Sequence, residues 1–239
     1  GYGSDIDENL RSLVEAILEQ TSIPRIRLGS LEPWDFPEGF YSLWDNPRMC
    51  PHLHLPLQSG SDSVLRRMIR RCSVSDYKEL VRQAREQNPF FHISSDLIVG
   101  FPGETDSEFS ETLQTVQDIG FANTHLFSYS AREGTAATRL PNHVSGVVKK
   151  ERLNQLRSIT RKSTHDFWMK LLGTRDSVLW ERDIERQENG RNIWRGYSSN
   201  YIRVYSEQPE SISLFNQITS VIYAEITSEG LRVELILED

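Results

Sequence analysis

Cysteine is scarce in this sequence: the 239 residues contain only Cys50 and Cys72. They are not spaced as Cys-x2-Cys, which argues against a disulfide framework and indicates a reducing compartment. Two thiols are also too few for an iron–sulfur cluster, which takes roughly three or four thiolate ligands.

Long hydrophobic runs and an excess of positive charge are also missing. Because no run of about 18 apolar residues occurs, the sequence predicts no membrane-spanning helix. Residues 1–4 resemble neither a signal peptide nor a natural start, and we interpret them as a cut end. The net charge of −7 argues against a dedicated nucleic-acid-binding protein, although a local patch can outweigh the total. We expect a cytoplasmic location.

The stretch Ser94–Thr105 combines a strand, a turn and a helix start. Leu97–Val99 favours a strand, and the turn Gly100–Gly103 ends it. Thr105 and Glu108 then match a helix capping box. This order predicts a βα unit whose loop binds a ligand, as in α/β proteins. A purely structural turn is the alternative.

Helices and strands alternate over the first two thirds of the chain. We expect strands at about residues 25–29, 52–57, 91–99 and 123–129, with helices between them. The alternation predicts parallel strands with right-handed crossovers. Four strands are too few to close a (β/α)8 barrel. The sequence therefore predicts an open sheet or a partial barrel whose first strands lie before residue 1.

The pattern changes near residue 170. Five short strands with intervening turns follow, which is typical of a small antiparallel barrel of OB-like type. We therefore predict an α/β domain over residues 1–168 and a β-barrel over residues 169–239.

Hydrogen-bonding side chains follow the predicted strands at their carboxyl ends. They are Gln58 and Ser59, Asp96, and Ser128 with Tyr129. No side-chain pair typical of acid–base or nucleophilic catalysis accompanies them. The set is suited to binding a polar organic ligand.

The pair His52 and His54 raises a second interpretation, because a His-x-His strand can bind a metal, as in a hydrolase. His92 and His125 also lie near strands. However, His52, His54 and His92 lie at the predicted strand starts, which usually serve stability in barrels. A metal-dependent hydrolase is therefore the less favoured alternative.

Aromatic residues alternate with arginines in the second domain. The set consists of Trp194, Arg195, Tyr197, Tyr201 and Arg203. Aromatic rings and guanidinium groups together can stack on unpaired bases, which predicts an RNA-binding surface. An ordinary barrel core with charges outside is the alternative.

Four motifs in order carry a family resemblance: Cys50–Met68, Asp96–Thr105, Tyr129–Ala137 and Lys149–Leu153. They closely resemble the radical S-adenosylmethionine (SAM) methylthiotransferases. Residues 169–239 resemble that family's TRAM domain, a small barrel that binds RNA. Within the family, the second domain most resembles the branch acting on threonylcarbamoyl-adenosine in tRNA, and the isopentenyl-adenosine branch comes next.

The resemblance implies that residues 1–168 are the C-terminal part of a radical SAM barrel. SAM would lie across the strand ends, against Gln58, Ser59, Asp96, Val99, Ser128 and Tyr129. The family uses a radical derived from SAM to add a methylthio group at C2 of a hypermodified adenosine next to the anticodon. The partner would be the anticodon loop of tRNA, held by Trp194, Arg195, Tyr197, Tyr201 and Arg203.

The largest departure of the sequence from the family lies in its cysteines; smaller ones are Ala131 and Cys72. The family binds its radical 4Fe-4S cluster through a Cys-x3-Cys-x2-Cys loop and carries a second cluster in an N-terminal domain. Cys50 and Cys72 match neither set of ligands. We therefore expect a C-terminal fragment of an otherwise monomeric enzyme, inactive alone. A non-catalytic tRNA-binding module is the alternative.

Overall fold

The computed structural model describes residues 2–3, 5–34, 36–37, 39–188 and 190–236, without the side chain of Asp183. The chain divides into two compact units, Gly1–His165 and Asp166–Asp239. The division falls inside the helix Gly146–Leu171, as does the boundary predicted between residues 168 and 169.

The first unit is built from helices and short parallel strands. In chain order its elements are α1 (Leu10–Gln20), a 3-10 helix (Phe40–Asp45), β1 (His52–His54), α2 (Asp62–Arg67), α3 (Val74–Gln87), β2 (His92–Val99), α4 (Asp106–Ile119), β3 (Asn123–Ser128), a second 3-10 helix (Ala136–Arg139) and α5 (Gly146–Leu171).

The sheet has the order β1-β2-β3, and both strand pairs are parallel, which confirms the predicted parallel sheet. The prediction of a strand over residues 25–29 is wrong. Ile26 and Ser30 make only isolated bridges, to Met49 and His54, so no continuous ladder forms there. The β1 strand is shorter than predicted: after the Leu55 N–H, which donates to the Ser94 carbonyl, the next backbone bond to β2 comes only from the Gln58 N–H.

The β2-turn-α4 segment matches its prediction closely. Leu97 and Val99 are fully buried, and the glycine turn follows. The Thr105 hydroxyl accepts the backbone N–H of Glu108 at 3.2 Å, and the Glu108 carboxylate accepts that of Thr105 at 2.8 Å. Gly120 ends α4 in the left-handed conformation that favours glycine. The capping box therefore fixes where α4 begins.

The core of the first unit lies between the helices and one face of the sheet. Leu53, Ile93 and Leu97 are fully buried on neighbouring strands. Tyr77 of α3 is also fully buried, and its hydroxyl donates to the Leu55 carbonyl at 2.7 Å. Each large apolar side chain contributes about 1.5–3 kcal/mol when it is withdrawn from water. This packing holds the opposite, polar face of the sheet in place.

The second unit is a closed five-stranded barrel. Its strands are β4 (Arg175–Arg186), β5 (Arg191–Ser198), β6 (Arg203–Pro209), β7 (Ile218–Thr227) and β8 (Gly230–Leu235). They close in the order β4-β5-β6-β8-β7, with every pair antiparallel except β6 and β8. Val178, Trp180 and Tyr223 are almost completely buried, so they belong to the barrel core.

Among the described residues, no helix combines the length and the apolar composition that crossing a bilayer requires.

Candidate functional site

The carboxyl ends of the strands bring several predicted residues together. Gln58 continues the line of β1 and pairs with β2: its N–H donates to the Asp96 carbonyl at 2.9 Å. Ser128 lies opposite Val99 in the register of β3 and β2, and the Tyr129 N–H donates to the Val99 carbonyl at 2.8 Å. Four of the residues predicted to bind SAM therefore lie in adjacent positions at the carboxyl ends of the strands: Gln58, Val99, Ser128 and Tyr129. We call this end of the sheet the sheet edge.

Polar groups at this edge are available to a ligand. Within the part of the chain that the structure describes, the side chains of Gln58 and Ser128 make no hydrogen bond. The Tyr129 hydroxyl is buried and also lacks a partner there. A carboxamide and two hydroxyls suit the ribose, amine and carboxylate groups of SAM, so this part of the site fits that cofactor.

Two predicted residues are not placed to contact a ligand through their side chains. The Ser59 hydroxyl is fully buried and lies 3.3 Å from that of Thr112, so it faces α4. The Val99 side chain is fully buried in the core, which leaves only its backbone for contact. A contact of SAM with these two residues would therefore use their backbone atoms, and it stays a prediction.

The turn after β2 is held by a buried ion pair that the sequence reasoning missed. Arg152 of α5 lies 2.6 Å from the Glu104 carboxylate, and the Gly100 N–H donates to the same oxygen at 2.6 Å. Burial raises the pKa of Glu104, while these two donors oppose that shift. Lys149 donates to the Tyr129 carbonyl at 2.8 Å. The start of α5 therefore holds the turns that follow β2 and β3.

A second cluster of polar side chains lies closer to the amino ends of the strands, on the sheet face opposite the core. His54 of β1 is 3.3 Å from the Asp96 carboxylate of β2, and Asp96 lies opposite His125 of β3. His54 therefore lies level with the middle of β2, in contrast to the expectation that it marks only a strand start. Asp96 is thus paired with an imidazole, and its predicted contact with SAM stays a prediction. Strand alternation and the register together could have revealed this cluster.

His52 differs from His54. It is 3 % exposed, and burial, with a further contribution from His92, lowers its pKa to about 2. It is therefore a neutral imidazole at physiological pH. Its ring packs edge-on against His92 at 4.9 Å.

The second unit carries an aromatic pair on its surface. The rings of Tyr197 and Tyr201 stack at 4.6 Å with an angle of 13° between their planes, and both are partly exposed. Arg203 is exposed beside them in sequence, and Arg195 makes an ion pair with Glu185 at 2.7 Å. Paired rings near guanidinium groups can stack on bases.

Trp194 does not belong to this surface. Its side chain is 2 % exposed, and its indole nitrogen is buried without a partner among the described residues. A ring inside the barrel cannot stack on a base, so the expected RNA contact is corrected to a core role.

The two thiols do not fit an iron–sulfur cluster. Cys50 and Cys72 are both buried, and the Cys72 thiol lies 3.3 Å from the Ser73 carbonyl. Burial raises the pKa of Cys72 to about 11, which disfavours the thiolate that binds metal. No step of a reaction can therefore be assigned to a cluster on these residues.

The fold and the sequence first identify a class. Residues 2–116 match the sequence profile of the Radical SAM superfamily. The structure is similar to that of coproporphyrinogen III oxidase (HemN) from Escherichia coli, described as a radical SAM enzyme. The TM-score is 0.52 at 21 % identity, over 64 % of this chain and 36 % of that one. The chain therefore carries a radical SAM fold.

The relatives then identify the family within that class. The chain is 36 % identical to the threonylcarbamoyladenosine tRNA methylthiotransferase MtaB of Thermotoga maritima, over 84 % of its length and 46 % of the relative. It is 35 % identical to the tRNA-2-methylthio-N(6)-dimethylallyladenosine synthase of Alcanivorax borkumensis, over 97 % and 52 %. The chain is homologous to tRNA methylthiotransferases of the radical SAM type, which confirms the predicted family. It spans about half the length of the curated relatives it matches.

Proposed function

We propose that this chain takes part in the methylthiolation of tRNA, with SAM bound at the sheet edge and tRNA at the barrel. The observation that carries the proposal is the extent of the similarity. The alignment with the Alcanivorax relative covers 97 % of the chain, so it includes both the parallel sheet and the closed barrel. A function shared with the relatives would use both units.

The sheet edge supplies the contacts to SAM in this proposal. The Gln58 carboxamide, the Ser128 hydroxyl and the Tyr129 hydroxyl bind its polar groups, and the Val99 backbone lines the same edge. SAM supplies the radical precursor of the family's chemistry when bound. The residues of this chain bind and orient it, since neither thiol fits a cluster.

The closed barrel supplies the contacts to RNA, as a TRAM domain would. Tyr197 and Tyr201 form the stacking platform, and Arg203 and Arg195 attract the phosphates of the anticodon loop. In this proposal the substrate is a hypermodified adenosine next to the anticodon; the choice of a modified adenosine is supported by relatives named for threonylcarbamoyladenosine and for N(6)-dimethylallyladenosine, which match with similar identity.

We further propose that the complete enzyme is a cytoplasmic monomer and that these 239 residues are inactive on their own, because they bind no cluster. Anaerobic reconstitution with iron and sulfide tests the last point, because a stable four-iron absorbance on this chain alone would overturn it. The expected result is no such absorbance, since Cys50 and Cys72 are buried.

The RNA role is tested by titrating the chain with a labelled anticodon stem-loop at several salt concentrations, read by fluorescence anisotropy. A variant with Tyr197→Ala and Tyr201→Ala loses two stacking rings, worth about 1–3 kcal/mol for each base. We expect binding to weaken by roughly 10-fold or more. Phe215→Ala is the matched control, because Phe215 is an exposed aromatic residue of the same unit (53 %). Equal affinity of the double variant and the wild type would refute the platform.

The SAM role is tested by calorimetric titration with SAM. Tyr129→Phe removes only the hydroxyl, and a single hydrogen bond is worth about 0.5–1.5 kcal/mol, so binding should weaken about 2- to 10-fold. Tyr2→Phe is the control, since Tyr2 is exposed and far from the sheet edge in sequence. Unchanged affinity for SAM in Tyr129→Phe would remove this residue from the site.

A further inference from the structure

We propose that His54, Asp96 and His125 form a binding site for a divalent transition-metal cation on the polar face of the parallel sheet. One ligand atom from each residue lies within 4.8 Å of the others. This cluster is separate from the sheet edge proposed for SAM. It also differs from the His52 and His54 pair that the sequence alone suggests.

The backbone geometry favours the site. The three residues lie on adjacent strands, in the order β1-β2-β3, and Asp96 lies directly opposite His125. Nε2 of His54 is 3.3 Å from Oδ2 of Asp96. A cation with bonds of about 2.0–2.2 Å needs ligand atoms roughly 3 Å apart, so this pair already has the required spacing. His125 is exposed, and rotation of its side chain completes the triad.

A hydrogen-bond chain behind His54 orients its ring as in a metal ligand. Nδ1 of His54 is 2.9 Å from the Ser94 hydroxyl, which is itself 3.3 Å from Nε2 of His52. When Nδ1–H donates to Ser94, the Ser94 hydroxyl can donate to His52, and Nε2 of His54 presents its lone pair towards Asp96. Metal-binding histidines usually have such a partner on the other ring nitrogen.

The ligand set indicates the kind of cation. Two imidazoles with one carboxylate favour Zn²⁺, Co²⁺, Ni²⁺ or Fe²⁺ over Mg²⁺ and Ca²⁺, which prefer all-oxygen sites. Three protein ligands leave positions open for water or for an atom of a substrate. His54 and Asp96 are only partly buried, with side chains 15 % and 27 % exposed, so a cation can reach them from solvent.

The experiment is a titration of the purified, tag-free chain with Co²⁺, read by visible absorption, followed by displacement with Zn²⁺ against a chromophoric chelator. We expect one cation for each chain. Ser94→Ala should weaken binding roughly 10- to 100-fold, the usual effect of losing the group behind a ligand. Asp96→Asn and His125→Gln should weaken it at least as much.

His165→Gln is the matched control, since His165 is an exposed histidine of α5 outside the cluster. The affinity of this variant for Co²⁺ should equal that of the wild type. Because His125 is exposed, we expect His125→Gln to fold normally, so a loss of binding in this variant cannot be attributed to misfolding. Circular dichroism checks the fold of each variant. Absence of a one-to-one Co²⁺ or Zn²⁺ complex, or equal binding by Asp96→Asn, would overturn the proposal and leave a simple His54–Asp96 ion pair. Neither SAM nor RNA is present, so the outcome is independent of the proposed function.

Discussion

Replacing Arg152 with Met tests how the turn after β2 is held. The Met side chain keeps much of the volume of the Arg stem but removes its charge. The Glu104 side chain is 0 % exposed and its partner only 6 %, so water does not reach either group. In the variant, the Glu104 carboxylate keeps the Gly100 N–H as a donor and loses its counter-charge.

The expected loss is large because a buried charge is left uncompensated. Breaking such a pair from one side costs about 3–5 kcal/mol. Glu104→Gln in the Arg152→Met background removes the stranded charge, so the double variant should be more stable than Arg152→Met by about 1–3 kcal/mol. Burial already raises the pKa of Glu104. A raised pKa favours the protonated form in the folded state, so the loss in Arg152→Met should grow as the pH rises through that pKa.

The assay is urea unfolding of the four proteins of this cycle, followed by circular dichroism at pH 5 and pH 8. Hydrogen exchange of the Gly100 amide gives a local reading, because that N–H donates to Glu104. A loss below about 1 kcal/mol in Arg152→Met, or a double variant less stable than Arg152→Met, would refute the reasoning from buried charge.

Two further measurements test other parts of the first unit. A Cβ at Gly60 would lie 2.7 Å from Cβ of Thr115, so Gly60→Ala should cost about 1–3 kcal/mol through overpacking. Nothing lies within 4 Å of the same position at Gly29, so Gly29→Ala is the control in thermal melts, and equal shifts would contradict the close approach. The hydrogen bond from Arg67 lowers the pKa of Glu108 from 4.5 to about 2. Hydrogen bonds from Ser63 and Thr105 add to this lowering, so the contacts of the Glu108 carboxylate together contribute about 1–3 kcal/mol above pH 4.5, and this contribution is lost between pH 4.5 and 2. Glu108→Gln should flatten the acid-unfolding profile in that range, and an unaltered profile would contradict the assignment.

Elements set by local chemistry were predictable from the sequence. The predicted strand over residues 91–99 matches β2, and the helix that the capping box at Thr105 and Glu108 predicts is α4. Both ends of α4 are encoded nearby, by the Thr105 capping box and by Gly120. The five short strands of the second unit also follow from local alternation and turns, although the order in which they close does not.

Features set by distant contacts were not predictable in the same way. The prediction of a strand at residues 25–29 is wrong because the hydrogen bonds of a strand depend on which segment lies alongside it, and not only on its own composition. The buried pairing of Glu104 with Arg152 joins residues far apart in the chain. Trp194 is a further example. The alternation of side chains in β5 places Trp194 on one face of the strand, but it does not show that this face lines the barrel interior.

The register between β1, β2 and β3 has a consequence for folding accuracy. In β2, His92, Ser94 and Asp96 share one face, while Ile93, Leu97 and Val99 pack on the other. Because side chains alternate, a slip of one residue would turn the Asp96 carboxylate into the apolar layer and Leu97 towards water. Burying an unpaired carboxylate is costly enough to disfavour that misaligned sheet. The polar residues of β2 thus disfavour misaligned pairing while the strands assemble.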